Sequence, residues 1–348
     1  MKKFRSFSIF SATFVSFIFV LGALCLAGPV GADTITLTYA NFPPAPTFPC
    51  IQMERWAKEV TERTKGKIEV KTFPGGTLLA AKNMFDGVVK GVADIGCLAT
   101  AYQPGRFLMF EAMDLPFVFA SGTVASVVMW DLYDKFKPES FNDVKVLTMF
   151  TCATAHIMSQ KPVRNMEDLQ GLKLRAAGTG VDIMKLLGAA PEGMPMSAVP
   201  EALQKGVVQG LVSSLEVMKD MKFAEYCKFA TYADLWVVPF AVVMNKKKWE
   251  SLPEDVKKIF DDLSKEQALW TGRYVDQHAQ DAIEWSKKEE KVEFITLPQE
   301  ETAKWRAKVE PLTQQYLDRT KEGKLPGKEF LEELMKLKDK YTKELKDK

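Results

Sequence analysis

The chain has 348 residues, 47% of them hydrophobic and 26% charged, which is typical of a soluble globular protein and long enough for two domains with sizeable cores. Its 47 Lys and Arg against 45 Asp and Glu leave no basic excess, which argues against nucleic acid as the main partner. The sequence contains no GxSxG, HExxH or Walker motif, so we expect no catalytic residue, no cofactor and no metal site. Of the two histidines, His156 is expected to be structural and His278 to lie on the surface.

The first 32 residues have the pattern of an export signal. Lys2, Lys3 and Arg5 precede an uncharged run, and Val30 and Ala32 stand where a signal peptidase reads small residues. This pattern predicts a signal peptide over residues 1–32, cut after Ala32, and a product in the periplasm. Cleavage would leave 44 − 45 = −1 charges. The apolar run is long enough to span a bilayer, so an uncleaved anchor is the alternative.

Strands and helices alternate along the first half of the mature chain. Period-2 and β-branched patterns predict strands, helical spacing predicts helices, and the aperiodic apolar segment 105–121 is expected to wrap the core. The strands are predicted over 34–42, 67–76 (with a turn) and 92–99, and the helices over 50–66, 77–91 and 123–136. This alternation predicts an α/β fold with a parallel or mixed sheet.

A second α/β unit follows from Asn165. Strands are predicted over 172–175, 207–214 and 291–298, and helices over 178–188, 197–206, 253–289 and from about 299 onwards. The helix over 253–289 would reach about 50 Å at 1.5 Å per residue. We expect this helix to lie across two domains, because one small domain is not that wide.

Two segments are predicted to cross between the units. The strand candidates 144–150 and 152–160 run nearly end to end, so one long strand could pass between the two units there. Segment 235–245 is a second apolar crossing, with a bend expected at Pro239. Two crossings favour a hinge. We predict lobe I over 33–152 plus about 241–280, and lobe II over 153–240 plus about 281–348.

Four cysteines remain after cleavage, namely Cys50, Cys97, Cys152 and Cys227, and none is part of a CxxC. An export compartment permits disulfides, but their pairing cannot be read from sequence. Cys97 and Cys152 lie in strand-like runs and are expected to be buried as small hydrophobic residues.

Several segments resemble the substrate-binding proteins of TRAP (tripartite ATP-independent periplasmic) transporters, the DctP-like family. The core signature is "MEDLQGLKLRAAGTGVDIMKLLGAAPEGMPMSAVPEALQKGVVQG". Further matches are "GGTLLAAKNMFDGVVKGVADIG", "FEAMDLPFVFAS" and "VVMNKKKWESLPEDVKKI". The resemblance covers essentially the whole mature chain. It implies a two-lobed α/β periplasmic binding protein fold with hinge strands and a long domain-spanning helix.

The resemblance also implies a function. Such proteins capture a small organic anion between two lobes and deliver it to a two-subunit membrane permease driven by an ion gradient. We expect a monomer, although a minority of the family dimerises through terminal helices. The family arginine that pairs with the ligand carboxylate corresponds to Arg175. A guanidinium presents a rigid fork that matches a carboxylate, and the helix start in the following "AAGTG" could add backbone N–H groups.

The other positions of the family pocket are less polar here, so the resemblance implies a less polar ligand. The second arginine of sialic-acid and dicarboxylate binders aligns with Ala155. The remaining predicted ligand-binding residues are Phe42, Leu98, Ala99, Tyr102, Met196, Ser213 and Trp236.

Sugar hydroxyls would lack partners in such a pocket, at about 1–3 kcal/mol each. We therefore predict a monocarboxylate with a hydrophobic or aromatic body. The alternatives are a polar sugar acid or dicarboxylate, a periplasmic sensor of the same fold, and an α/β enzyme. The aromatic residues could also serve only in packing.

Overall fold

The computed structural model describes residues 34–116 and 118–345, so the predicted signal peptide lies outside the described residues. These residues form a two-lobed mixed α/β fold, as predicted. Its strands are β1 (Ile35–Asn41), β2 (Ile68–Phe73), β3 (Ile95–Ala99), β4 (Val144–Thr151), β5 (His156–Ser159), β6 (Lys173–Ala176), β7 (Ala190–Gly193), β8 (Gly210–Ser213), β9 (Phe229–Tyr232), β10 (Pro239–Asn245) and β11 (Glu293–Thr296).

The helices occupy the segments between the strands and the C-terminal region. They are α1 (Phe48–Arg63), α2 (Met84–Val89), α3 (Gly122–Phe136), α4 (Gly180–Leu186), α5 (Val199–Gln204), α6 (Val217–Asp220), α7 (Lys246–Glu250), α8 (Glu254–Glu289), α9 (Gln299–Val309), α10 (Pro311–Glu322) and α11 (Gly327–Glu344). One 3-10 helix, Leu108–Asp114, lies within the segment 105–121, for which no regular element was predicted.

Each lobe is built on one sheet. The first sheet has the order β2-β1-β3-β10-β4, with β1 parallel to β2 and β3, and β10 antiparallel to its neighbours. The second has the order β11-β9-β5-β8-β6-β7. We call the lobes that contain them the first and second lobe. Two strands, β7 and β9, were not predicted; β7 contains Pro191 and Gly193, which are uncommon in strands.

The crossing between the lobes differs from the prediction. No single strand passes through, because β4 ends at Thr151 in the first sheet and β5 begins at His156 in the second. The linking residues bond instead to the other crossing segment: the Ala155 N–H donates to the Trp236 carbonyl at 2.7 Å, and the Leu235 N–H donates to the Ala155 carbonyl at 2.9 Å. Pro239 begins β10 and does not bend a strand in its middle. The two crossings therefore form a short hydrogen-bonded ribbon.

Helix α8 spans both lobes, as predicted. Its 36 residues correspond to about 54 Å. It packs against α1 and α3 of the first lobe and against α6 of the second. Asp276, in its second half, accepts hydrogen bonds from the Gly122 and Thr123 N–H groups at 2.8 Å each. These bonds satisfy the first amides of α3, which have no partner inside that helix.

The C-terminal helices do not follow the predicted lobe boundary. That boundary placed residues 281–348 in lobe II, but α11 packs against α3 and α10 packs against the turn Leu108–Asp114. Phe330 of α11 lies 5.3 Å from Phe110, centroid to centroid. Burial of these apolar side chains explains the location, and we propose to count α10 and α11 with the first lobe.

The four cysteines of the described residues are free and buried. Burial raises the pKa values of the Cys50, Cys152 and Cys227 thiols to about 12. These thiols are therefore neutral at physiological pH and behave as small hydrophobic groups, as expected for Cys152.

Candidate ligand-binding site

Arg175 lies on β6, "KLRA", in which the last three residues are buried. The residue is only 2% exposed. Its Nε donates to the Met194 carbonyl at 2.9 Å, and its Nη2 donates to the Tyr102 hydroxyl at 3.0 Å. Within the described residues no carboxylate lies within salt-bridge distance of this guanidinium. A buried cation without a counter-ion is costly, so this position favours an anionic guest.

Tyr102 links the two lobes at the same point. It lies in a 3-10 turn directly after β3 of the first lobe. Its hydroxyl oxygen accepts from Arg175 and also from the Met196 N–H at 3.0 Å, both in the second lobe. Because both bonds use lone pairs of the oxygen, the hydroxyl proton remains available to donate.

A cavity opens beside Arg175 between the lobes. More than half of its lining residues are apolar. The apolar ones are Phe42, Pro43, Phe48, Pro49, Met196, Val217, Met221, Val238 and Phe240; the polar ones are Thr47, Tyr102, Cys152, Arg175, Ser213, Ser214, Glu216 and Asp220. The apolar wall includes an aromatic cluster, with the Phe42 and Phe240 rings stacked at 6.3 Å and Phe48 edge-on to Phe240 at 5.5 Å. This is the usual composition of a small-molecule site, apolar with a few polar groups.

The cavity is small in this arrangement, with a volume of about 50 Å³. It can therefore hold only a small guest unless the lobes move apart. A larger cleft of about 350 Å³ lies on the other side of Tyr102 and is lined by Lys82, Glu111, Asp182 and Arg319 among others. The smaller cavity is the candidate ligand-binding site, because the buried guanidinium of Arg175 lines it and does not line the larger cleft.

Glu216 is a second buried charged group of this cavity. It is 1% exposed and follows β8 closely in the chain. Its Oε1 accepts from the Ser214 hydroxyl at 2.6 Å, whereas its Oε2 is buried without a partner in the described part of the chain. Burial raises the pKa of this carboxyl to about 7, against the opposing effect of the Ser214 bond.

Asp220, another residue of the cavity lining, is paired with His278. His278 Nε2 lies 2.8 Å from Asp220 Oδ1 and 3.0 Å from Oδ2. The hydrogen bond to Asp220 raises the pKa of His278. The prediction of a surface role for His278 is therefore wrong: its ring is half-buried in a pair that joins α8 to α6. His156 is structural, as predicted, since its Nδ1 accepts from the Ala233 N–H at 3.1 Å and burial lowers its pKa.

The predicted ligand-binding residues separate into two groups. Five line the cavity: Arg175, Phe42, Tyr102, Met196 and Ser213. Four do not, namely Leu98, Ala99, Ala155 and Trp236, all of which are buried. Leu98 and Ala99 pair with β10 inside the first sheet, and Ala155 belongs to the crossing ribbon. Trp236 packs on the start of α4, where a Cβ on Gly180 would clash with its indole ring.

The helix start after Arg175 faces a protein carboxyl group, contrary to expectation. Asp114 of the first lobe interacts with the Thr179 N–H, and burial raises the pKa of Asp114, which favours its neutral form. Gly178 allows this approach: its φ is +55°, and a Cβ there would lie 2.7 Å from Asp114 Oδ2. The start of this helix is therefore taken up by Asp114 in this arrangement, and Arg175 remains the candidate anion-binding group.

Glu216, Phe48 and Phe240 were not predicted from the sequence. Glu216 had a usable signal, because it is an acid three residues after the end of the buried strand β8, and β8 is parallel to the strand that carries Arg175. Phe240 had no signal, since it reads as one apolar residue in an apolar run.

Comparison with known proteins now identifies the family. Residues 40–320 match the model of the bacterial extracellular solute-binding protein family 7. The chain belongs to this family. Its members and structural relatives are TRAP-type periplasmic solute-binding proteins, which are receptors and not enzymes, so the enzyme alternative is set aside.

Two solved structures are similar to this chain over most of its length. A TRAP periplasmic solute-binding protein from Desulfovibrio salexigens is 49% identical, with a TM-score of 0.80 over 88% of this chain and 96% of that one; it is an open complex with the C-terminus of a symmetry mate in its ligand-binding site. A marine metagenome TRAP protein specific for aromatic acid ligands, solved with 3-hydroxybenzoate, is 30% identical, with a TM-score of 0.84 over 88% and 99% of the two chains.

A characterised relative binds a different class of acid. The C4-dicarboxylate-binding protein of Bacillus subtilis is 24% identical over 319 residues, which cover 88% of this chain and 87% of that protein. Members of the family thus bind small organic acids of several kinds and act with a TRAP membrane permease. Relatives are extracytoplasmic, and within residues 34–116 and 118–345 we find no helix with the length and apolarity needed to cross a membrane.

The Tyr102 hydroxyl is expected to contribute to affinity. Tyr102→Phe keeps the ring but leaves an Arg175 N–H and the Met196 N–H without their acceptor when the lobes are together. A hydrogen bond to a charged group contributes about 1.5–3 kcal/mol, so we expect Kd for a bound acid to rise about 10-fold or more by calorimetry. Tyr226→Phe, at an exposed tyrosine of the second lobe, is the control. An unchanged Kd in Tyr102→Phe would contradict this role.

Proposed function

We propose that the protein binds a small monocarboxylate with a hydrophobic or aromatic body between its lobes and delivers it to a TRAP permease. Arg175 pairs with the carboxylate, and the apolar wall receives the body. The observation that carries the proposal is a buried guanidinium without a protein counter-ion on the wall of a largely apolar cavity.

The charge balance favours a monocarboxylate over a dicarboxylate. Arg175 is the only cationic side chain among the residues that line the cavity. The cavity lining also contains the carboxyl groups of Glu216 and Asp220, which would repel a second anionic group of the ligand. A dicarboxylate would leave one charge facing Phe42, Phe48 or Phe240. The protein of known aromatic-acid specificity at 30% identity is consistent with this preference.

The proposed location of the protein follows from its sequence and family. We propose that residues 1–32 are removed on export and that the mature protein acts in the periplasm. There it can deliver its ligand to the membrane permease. Mass spectrometry of the protein purified from periplasm tests this, because a mature N-terminus at Asp33 is expected. Retention of the first 32 residues would contradict it.

A ligand screen by thermal shift tests the proposed ligand class. The protein is first unfolded and refolded to remove any acid that co-purifies. Benzoate, phenylacetate, indole-3-acetate and 4-methyl-2-oxopentanoate are compared with succinate, malate and galactonate. A ligand at 100 times its Kd stabilises the folded state by about 2.7 kcal/mol, so true ligands raise Tm clearly. Stabilisation by the dicarboxylates or galactonate alone would overturn the proposed class.

A further inference from the structure

Glu216 has an acceptor atom that the protein does not use. The residue is 1% exposed and lines the same cavity as Arg175. Ser214 donates to its Oε1 at 2.6 Å, and no group of the described residues donates to Oε2. Buried carboxylate oxygens normally have a partner, because an unpaired one loses its hydration without compensation.

Neighbouring groups do not explain this carboxyl as a structural ion pair. The charged groups that act on it are Asp220 of α6 and His278 of α8, and these two pair with each other at 2.8 Å. The Cys152 thiol, on the crossing ribbon, is neutral. Within the described residues Arg175 and Glu216 form no salt bridge, although both line this cavity. The guanidinium and the unpaired carboxyl oxygen are therefore two separate polar contacts that the cavity can offer to one guest.

We propose that Glu216 is a specificity-determining residue, and that the ligand carries a second polar group, a hydroxyl or ammonium hydrogen-bond donor, which Glu216 Oε2 accepts. This inference rests on the proposed function, since Arg175 must hold the carboxylate of the same molecule. The ligand class is thereby narrowed to hydroxy- or amino-substituted apolar acids.

The chemistry of the cavity supports two-point recognition. A hydrogen-bond donor of the ligand would give Glu216 Oε2 the partner that it lacks. An acid without such a donor would leave this buried oxygen unpaired when the site is closed. Sites built to bind a polar group reject analogues without it much more strongly than apolar pockets reject a missing methylene. Asp220, the other carboxylate of the cavity lining, is already paired with His278 at 2.8 Å, so Glu216 Oε2 is the carboxylate oxygen that is left without a partner.

Matched ligand series test the inference. One series is 3-phenylpropanoate, 3-phenyllactate and phenylalanine, which differ only in the α-substituent; the other is benzoate with 3- and 4-hydroxybenzoate. We expect at least one donor-bearing acid to bind the mature protein 10-fold or more tightly than its donor-free parent, as measured by calorimetry. A ligand with an ammonium group should bind more tightly at pH 8 than at pH 6, because the ammonium group pairs with the ionised form of the Glu216 carboxyl. The affinity of a ligand with a hydroxyl group should not increase in this way.

Two variants assign the preference to Glu216. Glu216→Leu removes the acceptor, and Glu216→Gln keeps the shape and an amide oxygen without the charge, so it serves if the leucine variant does not fold. We expect Glu216→Leu to reduce the preference to less than about 2-fold, and Glu216→Gln to abolish any preference for ammonium. Glu225→Gln, at an exposed glutamate of the same lobe, should leave the preference unchanged.

The outcomes separate the two proposals. If donor-free acids bind as tightly as every donor-bearing analogue, or if the preference persists in both Glu216 variants, this inference is wrong while carboxylate binding stands. If no carboxylate of either series binds in an Arg175-dependent way, the proposed function fails and this inference fails with it.

Discussion

Replacing Arg175 with alanine should abolish carboxylate binding. The guanidinium is 2% exposed, has no carboxylate partner in the described residues, and lines the candidate cavity. Loss of one partner of a buried hydrogen-bonded charge pair costs about 2–5 kcal/mol, so we expect Kd to rise at least about 30-fold. Isothermal titration with the best acid from the thermal-shift screen measures this.

Two further variants show whether the fork or only the charge is needed. Arg175→Lys keeps a positive charge but cannot bind both carboxylate oxygens with one planar group. We therefore expect its Kd to lie between those of the unmodified protein and Arg175→Ala. Arg164→Ala removes an exposed arginine of the same lobe that pairs with Glu293 at 2.6 Å, and its Kd should stay within about twofold of the unmodified protein. Wild-type affinity in a folded Arg175→Ala protein would refute the assignment of the anchor.

Replacing Glu216 with glutamine should stabilise the ligand-free protein at alkaline pH. Burial raises the pKa of this carboxyl from 4.5 to about 7. Between pH 4.5 and about 7, the folded state therefore keeps a proton on this carboxyl that the unfolded state has already released. Folding is favoured at the low end of this pH range. As pH rises through this window the advantage is lost, and above pH 7 the buried charge costs about 3 kcal/mol.

The pH dependence distinguishes this effect from general stabilisation. We expect the Tm difference between Glu216→Gln and the unmodified protein to be small at pH 4.5 and to grow to several degrees by pH 8, where only the unmodified protein carries the buried charge. Glu225→Gln, at an exposed site, should differ from the unmodified protein by about 1 °C or less at either pH. A Tm difference for Glu216→Gln that is the same at both pH values would show that this carboxyl does not titrate between them.

The fold was largely predictable because its elements are strongly patterned. The strand over 34–42 alternates, and the long helix carries apolar residues at helical spacing, with Val256, Phe260 and Leu263 buried as that spacing requires. The short strands β7 and β9 were missed because their own residues give little indication of a strand. Pairing of β7 with β6, and of β9 with β5, holds them extended. The packing of α10 and α11 on the first lobe depends on tertiary contacts that a boundary read along the chain does not contain.

The candidate site was predictable only in part. Arg175 and Tyr102 were found because family resemblance and strand ends point to them, and the structure joins them by a hydrogen bond. Leu98 and Trp236 were assigned from the same resemblance, but their side chains are directed into the core. The register of neighbouring strands determines which side chain near a strand end faces a cleft. Glu216 lines the cavity although it follows a strand and belongs to no recognisable motif.

The central claim is that a buried arginine fork binds the carboxylate of a small guest inside a largely apolar cavity. A crystal structure with the strongest acid from the screen tests it most directly. We expect carboxylate oxygens about 2.7–2.9 Å from Arg175 nitrogen atoms, with the ligand body against Phe42 and Phe240. A carboxylate bound in the larger cleft of about 350 Å³, which Arg175 does not line, would contradict this claim.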